Sequence, residues 1–329
     1  MPDAGLYVFD LHSDMLVDVL RRRDAGETKV IVRRHLPGLR KGCIGAVSLA
    51  VWVEPAFRRR GFVHVARLLN AFAAEMNESA GEIQQCTTMR EVRSAVQAGR
   101  LAVVLSVEGL GSVSTSAEML NLLHHFGVRI ASLTWNEKNV LAGGVASPGA
   151  TGLTPLGKES IRKMVDLGII LDVSHLNVHS FWDVLEASTR PVIASHSNAR
   201  ALCDVPRNLT DDQMKAVART GGVIGINAWP SFIDASRPSM ERYLDHVEYV
   251  ADLVGIDHVA LGFDFCDYID EGTLQSIEGN GQTTEGLEKA SLVHNLLDRM
   301  AKRGFSAADI EKVSNRNAGR LLDSIEVSA

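Results

Sequence analysis

Short runs of consecutive apolar residues recur along the chain and alternate with longer segments in which apolar residues follow a helical period. The short runs are rich in Val, Ile and Leu, which is typical of strands that are buried on both faces of a parallel sheet. They predict eight strands, at residues 6–10, 45–53, 101–107, 128–133, 169–173, 191–194, 222–227 and 258–261.

Amphipathic helices are predicted between these strands. Residues 62–78 place Val65, Leu68 and Phe72 on one face of a helix. Residues 306–309, Ser-Ala-Ala-Asp, resemble a capping box before a last helix that extends to about residue 323. Further helices are predicted at residues 158–167, 211–220, 240–254 and 285–303, whereas residues 266–284 are polar and irregular and are expected to form a loop, or a lid, at the catalytic face.

The alternation of eight strands with helices predicts a (β/α)8 TIM barrel. No linker rich in Pro, Gly or Ser divides the chain, so a single barrel domain is expected over residues 1–329. A doubly wound open sheet is the alternative, but the G-x-G-x-x-G fingerprint is missing after the first strand.

The composition and charge of the chain limit which binding partners and which cellular compartment are expected for the protein. The 34 Lys and Arg against 40 Asp and Glu give a net charge of -6, so no nucleic-acid partner is expected. No apolar run approaches the roughly 18 residues that span a bilayer, and the first residues lack the features of a secretory signal, so no membrane association is expected. The four cysteines show no metal-binding spacing, which favours a reducing compartment. We therefore expect a cytoplasmic protein.

Polar residues of the metal-binding type follow five of the predicted strands. Because the carboxyl ends of barrel strands meet at one mouth, these side chains are expected to converge: His12, Asp14, Glu108, His175, His196 and Asp264. Imidazole and carboxylate groups suit zinc, and also manganese, iron or cobalt. A carboxylate can bridge two metals that lie about 3.5–4 Å apart and share a water.

Each of these residues also has a structural interpretation. His175 could be a hydrogen-bonded structural histidine, Glu108 could cap a turn, and Asp10 and Asp172 could orient histidines from behind. The coincidence of five candidate ligands at strand ends favours the metal site. The remaining histidines are expected at the surface: His35, His64, His124, His125, His179, His246, His258 and His294.

Eight segments share a pattern that extends over nearly the whole chain: F-D-L-H-S-D at 9–14, L-P-G-L-R-K-G-C-I-G-A at 36–46, S-V-E-G at 106–109, G-L-T-P-L-G at 152–157, L-D-V-S-H at 171–175, S-H-S at 195–197, R-N-L at 207–209 and G-F-D-F at 262–265. In this order they resemble the motifs of the renal (membrane) dipeptidase family of zinc peptidases, within the amidohydrolase superfamily. The resemblance implies a metal-dependent hydrolase barrel of the amidohydrolase type.

The resemblance also implies a metal site. His12 and Asp14 would bind one zinc ion, His175 and His196 would bind a second, and Glu108 would bridge the two. The implied reaction is hydrolysis of the amide bond of a dipeptide by a hydroxide shared between the metals, with tolerance for a D-residue at the C-terminal position. A homodimer is a further expectation from the family.

The substrate-binding residues follow from the same resemblance. Arg207 would hold the substrate carboxylate, and Asp264 would take a proton from the bridging water and pass it to the leaving amine. The family's histidine after Leu-Thr, which polarises the scissile carbonyl, is replaced here by Trp135 and Asn136. Trp135 could donate through its indole N–H or simply pack, and Asn136 could supply a neutral donor.

Because this histidine is replaced, the resemblance to the family does not identify the substrate. The alternative is an amidohydrolase that acts on another small amide, an N-acyl amino acid or a lactone. A further alternative is a barrel that has lost catalysis and serves as a binding protein, although the presence of all five ligand candidates and Asp264 argues against it.

Overall fold

The strands of the computed structural model form one parallel sheet that closes on itself. The structure describes residues 6–113, 116–147, 149, 151–276 and 282–325. Within these residues the strands are β1 Val8–Ser13, β2 Ile44–Trp52, β3 Ile83–Gln85, β4 Leu101–Glu108, β5 Val128–Ser132, β6 Ile170–Asp172, β7 Val192–Ala194, β8 Val223–Ile226 and β9 Val259–Leu261. The order is β2-β1-β9-β8-β7-β6-β5-β4-β3, and an additional β2–β4 pairing closes the ring.

Eight of these strands form the barrel of the described chain, and each corresponds to a predicted strand. The predicted (β/α)8 architecture is therefore confirmed. The strand that was not predicted, β3, lies outside the ring and pairs only with the first three residues of β4. Its sequence, Ile-Gln-Gln, contains a single apolar residue, because it is not buried between two layers.

Helices surround the ring. They are α1 Met15–Asp24, α2 Leu36–Lys41, α3 Gly61–Glu78, α4 Met89–Gln97, α5 Met119–His125, α6 Pro155–Leu167, α7 Val178–Ala187, α8 Asp211–Arg219, α9 Pro230–Ile233, α10 Met240–Val254, α11 Glu271–Ser276, α12 Val293–Lys302, α13 Ala307–Glu311 and α14 Asn317–Ser324. Among the described residues, none of the helices combines the length and the apolar composition that a membrane span requires.

Two of the helix predictions need correction. The helix predicted at residues 285–303 begins only at Val293. Before it, Glu285 pairs with Ser239 in a short parallel bridge and Gly286 has a φ of 80°, so this segment cannot be helical. The last helix begins with the predicted capping box at Ser306 and is interrupted by a π-helical segment, Lys312–Arg316, between α13 and α14.

The predicted loop at residues 266–284 is partly helical. After Cys266 the chain makes a turn and forms α11, and residues 277–281 lie outside the described residues. Within the first part, the Tyr268 hydroxyl lies 3.2 Å from the Ser13 hydroxyl, at the carboxyl end of β1.

The barrel interior is filled by apolar side chains from every strand of the ring. The smaller of two apolar clusters includes Phe9, Ala46, Val104, Ile130, Ile170, Ile193, Val223 and Ala260, and α4 and α14 pack against the same cluster. The larger cluster lies between the strands and the surrounding helices. This packing leaves the carboxyl ends of the strands free to carry polar side chains at one mouth.

Candidate functional site

The barrel ends place all six candidate side chains at one mouth. His12 lies in β1, Asp14 precedes α1, and Glu108 is the last residue of β4. His175, His196 and Asp264 lie in the segments that follow β6, β7 and β9.

Glu108 stands between two groups of side chains. Its Oε1 is 2.6 Å from His175 Nε2 and 3.4 Å from His196 Nε2, while its Oε2 is 3.8 Å from His12 Nε2. His12 Nε2 is in turn 3.5 Å from Asp14 Oδ2. A carboxylate in this position could contact two cations, one on each side.

Two sets of ligand atoms are close enough to hold an ion. One set consists of His12, Glu108 and His196, and the other of His12, Asp14 and Asp264. Three buried atoms in these sets have no hydrogen-bond partner among the described residues: His12 Nε2, Asp14 Oδ1 and Glu108 Oε2. Unpaired polar atoms in a buried site are costly, and cations bound by the two sets would satisfy them. The donor set therefore fits a metal site.

Burial governs the ionisation of these groups. It raises the pKa of Glu108 well above its usual value and that of Asp264 to about 6. Burial also lowers the pKa of His175 and His196 well below the usual value, which favours the neutral imidazole that binds metals. For His12 burial alone would lower the pKa, but the neighbouring carboxylates raise it to about 10. A cation bound among these groups would favour the ionised carboxylates and the neutral imidazoles, which are the forms that bind metals.

Arg207 lies directly beside this cluster and is 7% exposed. Its Nη1 donates to Ser197 Oγ at 3.0 Å and its Nη2 donates to the His196 carbonyl at 3.0 Å. Its Nε has no partner among the described residues. The guanidinium is held rigidly and keeps an unused donor.

Trp135 forms one wall of the mouth. Its half-buried ring stacks on His175, with the ring centroids 5.9 Å apart, and lies 5.8 Å from the ring of Trp52. The Arg58 guanidinium lies 4.7 Å from the Trp135 ring centroid, within cation–π distance.

Asn136 contacts a candidate metal ligand. Its Oδ1 lies 2.7 Å from His175 Nδ1, so it accepts the imidazole hydrogen bond. The carbonyl oxygen is thereby used within the protein, and the donor role toward substrate that the sequence suggested would belong to the Asn136 amide Nδ2.

The two aspartates behind the histidines behave differently. Asp172 contacts the Ser195 hydroxyl, which lies 2.6 Å from His196 Nδ1. Asp10 Oδ1 accepts from the backbone N–H groups of Phe263 at 2.9 Å and of His12 at 3.3 Å, so it holds the backbone of both segments and not a histidine ring.

Two contacts of the site were not predicted from the sequence. Asn227 Nδ2 donates to Asp264 Oδ2 at 3.1 Å, and its place after β8 is the sequence signal that could have identified it. Ser195 supports His196, and only its position beside that histidine indicates this.

The expected surface position is wrong for His64 and His246, and the His35 side chain, which is 8% exposed and lies 3.0 Å from Asp18 Oδ2, is not at the surface either. His64 is buried and contacts Glu54 Oε2 at 3.0 Å. His246 is buried and contacts the Ile233 carbonyl at 3.0 Å. Both are hydrogen-bonded structural residues, which can be buried because their polar atoms are paired.

His175 and Asp264 share an uncommon backbone conformation. Their φ angles are 68° and 58°, in the left-handed region that residues other than glycine seldom adopt. The His175 carbonyl accepts from the Val145 N–H at 2.8 Å and from the Thr134 hydroxyl at 3.3 Å, which holds the strained turn in place.

Comparison with known proteins agrees with this geometry. Residues 4–329 match the model of the membrane dipeptidase family, peptidase family M19. The chain is 30% identical to dipeptidase tcpJ of Claviceps purpurea over 304 residues, 88% of this chain and 69% of that protein. It is also 33% identical to an uncharacterised Klebsiella pneumoniae protein from the pqqA 5' region over 258 residues, 75% of this chain and 90% of that one.

Solved structures show the same fold. The crystal structure of dipeptidase AC, a metallopeptidase of family M19, superposes with a TM-score of 0.85 at 25% identity, over 97% of this chain and 98% of that one. A metallopeptidase from Rhodobacter sphaeroides, bound to a phosphinate mimic of the dipeptide L-Ala-D-Ala, superposes with a TM-score of 0.84 at 24% identity, over 98% and 99% of the two chains. Barrel, strand-end residues and family match together show that the chain belongs to the membrane dipeptidase family, peptidase family M19.

Proposed function

We propose that this metal-dependent hydrolase holds two zinc ions and cleaves the peptide bond of dipeptides. The observation that supports the proposal most directly is the position of Glu108 between His12 on one side and His175 and His196 on the other. In this proposal His12 and Asp14 would hold one ion, His175 and His196 would hold the second, and Glu108 would contribute to both.

The side chains around the proposed metal pair would bind the substrate and transfer the proton. Bound zinc would supply Lewis acidity, which lowers the pKa of water and polarises a carbonyl. Arg207 anchors the substrate carboxylate through its free donor. Asp264 accepts the proton of the attacking water and returns it to the leaving amine, and Asn227 orients the Asp264 carboxylate by donating to Oδ2.

Trp135 shapes the pocket in this proposal as an apolar wall beside His175. Because an indole cannot titrate and donates through a single N–H, Trp135 offers the scissile carbonyl little polarisation, and bound metals would supply most of it. A D-residue at the C-terminal position belongs to the proposal, and the dipeptide mimic bound to the Rhodobacter sphaeroides protein contains one.

A second candidate is hydrolysis of another small amide, an N-acyl amino acid or a lactone. The observation that favours it is the same replacement of the family's histidine by Trp135 and Asn136, since neither side chain can carry the positive charge of a protonated imidazole. Both candidates keep the metal centre and differ in the bond that is cleaved.

One experiment tests both. The purified protein is assayed for metal content, reconstituted with zinc, and given a dipeptide library with L–L and L–D pairs, together with N-acyl amino acids and lactones. Dipeptide turnover with two zinc ions per chain supports the first candidate, and turnover of the other compounds alone supports the second. Less than one metal per chain and no turnover after zinc addition would refute both. An Arg207→Ala variant should raise KM for dipeptides strongly and keep the metal content.

A cytoplasmic location is part of the proposal. The cysteines, all within the described residues, are free: Cys43, Cys86, Cys203 and Cys266. Free thiols fit a reducing compartment. Cell fractionation would test the location, and sedimentation of the purified protein would test the homodimer that the family resemblance implies.

A further inference from the structure

We propose that Asp172 and Ser195 are positioning residues that fix the tautomer and orientation of His196 for metal binding. The inference rests on the proposed function, because it requires His196 to be a metal ligand. Neither residue contacts the space between the candidate ligands. Both act through the imidazole ring.

The hydrogen bonds around Asp172 leave one arrangement of protons. Its Oδ1 accepts from the backbone N–H of Ser174 at 2.9 Å and from that of Ser195 at 3.0 Å. Its Oδ2 lies 2.5 Å from Ser195 Oγ. An ionised carboxylate only accepts, so the Ser195 hydroxyl must donate its proton to Asp172.

The arrangement then extends to the imidazole. Since Ser195 Oγ has given its proton to Asp172, it can only accept from His196 Nδ1, 2.6 Å away. Nδ1 of His196 therefore carries the hydrogen, and the lone pair is on Nε2. That atom faces Glu108 Oε1 at 3.4 Å and His175 Nε2 at 2.8 Å, in the candidate metal centre.

The backbone of His196 is fixed as well. Its N–H donates to Ser174 Oγ at 3.2 Å, and its carbonyl accepts from Arg207 Nη2 at 3.0 Å. The residue is fully buried. Ring and backbone are thus held by separate side chains, and the Asp172–Ser195 pair is the part that acts on the ring.

His175 offers a contrast. Its Nδ1 contacts the neutral amide of Asn136, on a half-buried loop, at 2.7 Å. His196 instead receives the negative charge of Asp172 through one hydroxyl. A carboxylate behind an imidazole makes the imidazole a better ligand, and loss of such support typically weakens metal binding about 10–100-fold.

The test compares Ser195→Ala with a matched control. Ser48 lies in β2, is buried, and its hydroxyl has no partner among the described residues, so Ser48→Ala removes a buried hydroxyl of the barrel without touching the site. Zinc affinity is measured by competition with a chromogenic chelator, zinc stoichiometry by elemental analysis, and the thermal midpoint on the metal-free proteins.

The expected results separate positioning from folding. Ser195→Ala should weaken the binding of one zinc ion about 10–100-fold, whereas Ser48→Ala should bind zinc as the wild type does. The metal-free thermal midpoint of Ser195→Ala should also fall below that of Ser48→Ala, because the Asp172 carboxylate loses a donor. Ser195→Thr, which keeps the hydroxyl, should restore affinity. Asp172→Asn offers an amide N–H toward Ser195 and should turn its proton to Nδ1, which places the imidazole hydrogen on Nε2 and blocks the ligand.

Two results would overturn the inference. If wild-type protein binds zinc and Ser195→Ala and Asp172→Asn both bind it equally well, His196 needs no such support, while the proposed function survives. If the wild-type protein binds no zinc, the proposed function fails and the inference fails with it. Should Ser195→Ala not fold, the nearly isosteric Asp172→Asn variant decides the question.

Discussion

Replacing Asp264 by Asn separates proton transfer from metal binding. Asp264 Oδ2 accepts from Asn227 Nδ2 at 3.1 Å, and Oδ1 lies 3.9 Å from His12 Nε2. An Asn side chain has the same shape and can still accept from Asn227, but it cannot take up a proton. General acid–base catalysis contributes about 10²–10⁴-fold, so kcat should fall by that factor, which is about 3–5 kcal/mol in activation free energy.

The assay measures kcat on the best dipeptide together with zinc content and thermal midpoint. Asp267→Asn is the matched control, because it makes the same chemical change on an exposed carboxylate of the same segment. Asp264→Asn should keep its zinc. If zinc and activity are lost together, Asp264 is a metal ligand, as its closeness to His12 and Asp14 allows. If kcat falls less than tenfold, another group carries the proton.

Three further predictions concern the pocket wall and stability. Trp135→His should raise kcat on dipeptides about tenfold or more, because it restores a donor to the scissile carbonyl. An unchanged kcat at full zinc content would contradict the idea that the missing histidine limits dipeptide hydrolysis. Glu75 is fully buried and accepts hydrogen bonds from Arg23 Nη1 and from the N–H groups of Val30 and Ile31. Glu75→Ala should therefore lower the free energy of unfolding, measured by urea titration, by about 2–5 kcal/mol. A loss below about 1 kcal/mol would show that water replaces these hydrogen bonds. Burial alone would raise the pKa of Asp18, but hydrogen bonds from His35, Arg22 and Arg21 lower it to about 2 from 3.8. The ionised carboxylate therefore contributes about 2 kcal/mol to the free energy of unfolding above pH 4, and this contribution is lost as the pH falls toward 2. Asp18→Asn should destabilise the protein at pH 6 and make little difference near pH 2, which urea titrations at the two pH values would measure.

Local sequence patterns account for the barrel and the ligand positions. Each strand of the ring is buried on both faces and therefore appears as a continuous apolar run, as in residues 101–107. The candidate ligands follow these runs because parallel strands end at one mouth. Glu108 illustrates this, since it closes β4 and stands between the histidines.

Contacts between distant segments could not be predicted in the same way. Asn136 approaches His175 only because the loop after β5 folds over β6, and the spacing along the chain contains no sign of this. His64 and His246 lie at helix positions that face buried acceptors and not solvent. Strand β3 has too few apolar residues to be recognised, since it pairs on one side only.

The left-handed backbone at His175 and Asp264 limits how this enzyme can be engineered. Each conformation costs about 1–2 kcal/mol, and a glycine at either position would remove that cost. Directed evolution that scores heat resistance alone would therefore favour glycine at both sites, and under the proposed roles of these residues the resulting barrels would lose hydrolysis. Engineering for higher thermal stability should keep His175 and Asp264 unchanged and introduce stabilising substitutions in the outer helices.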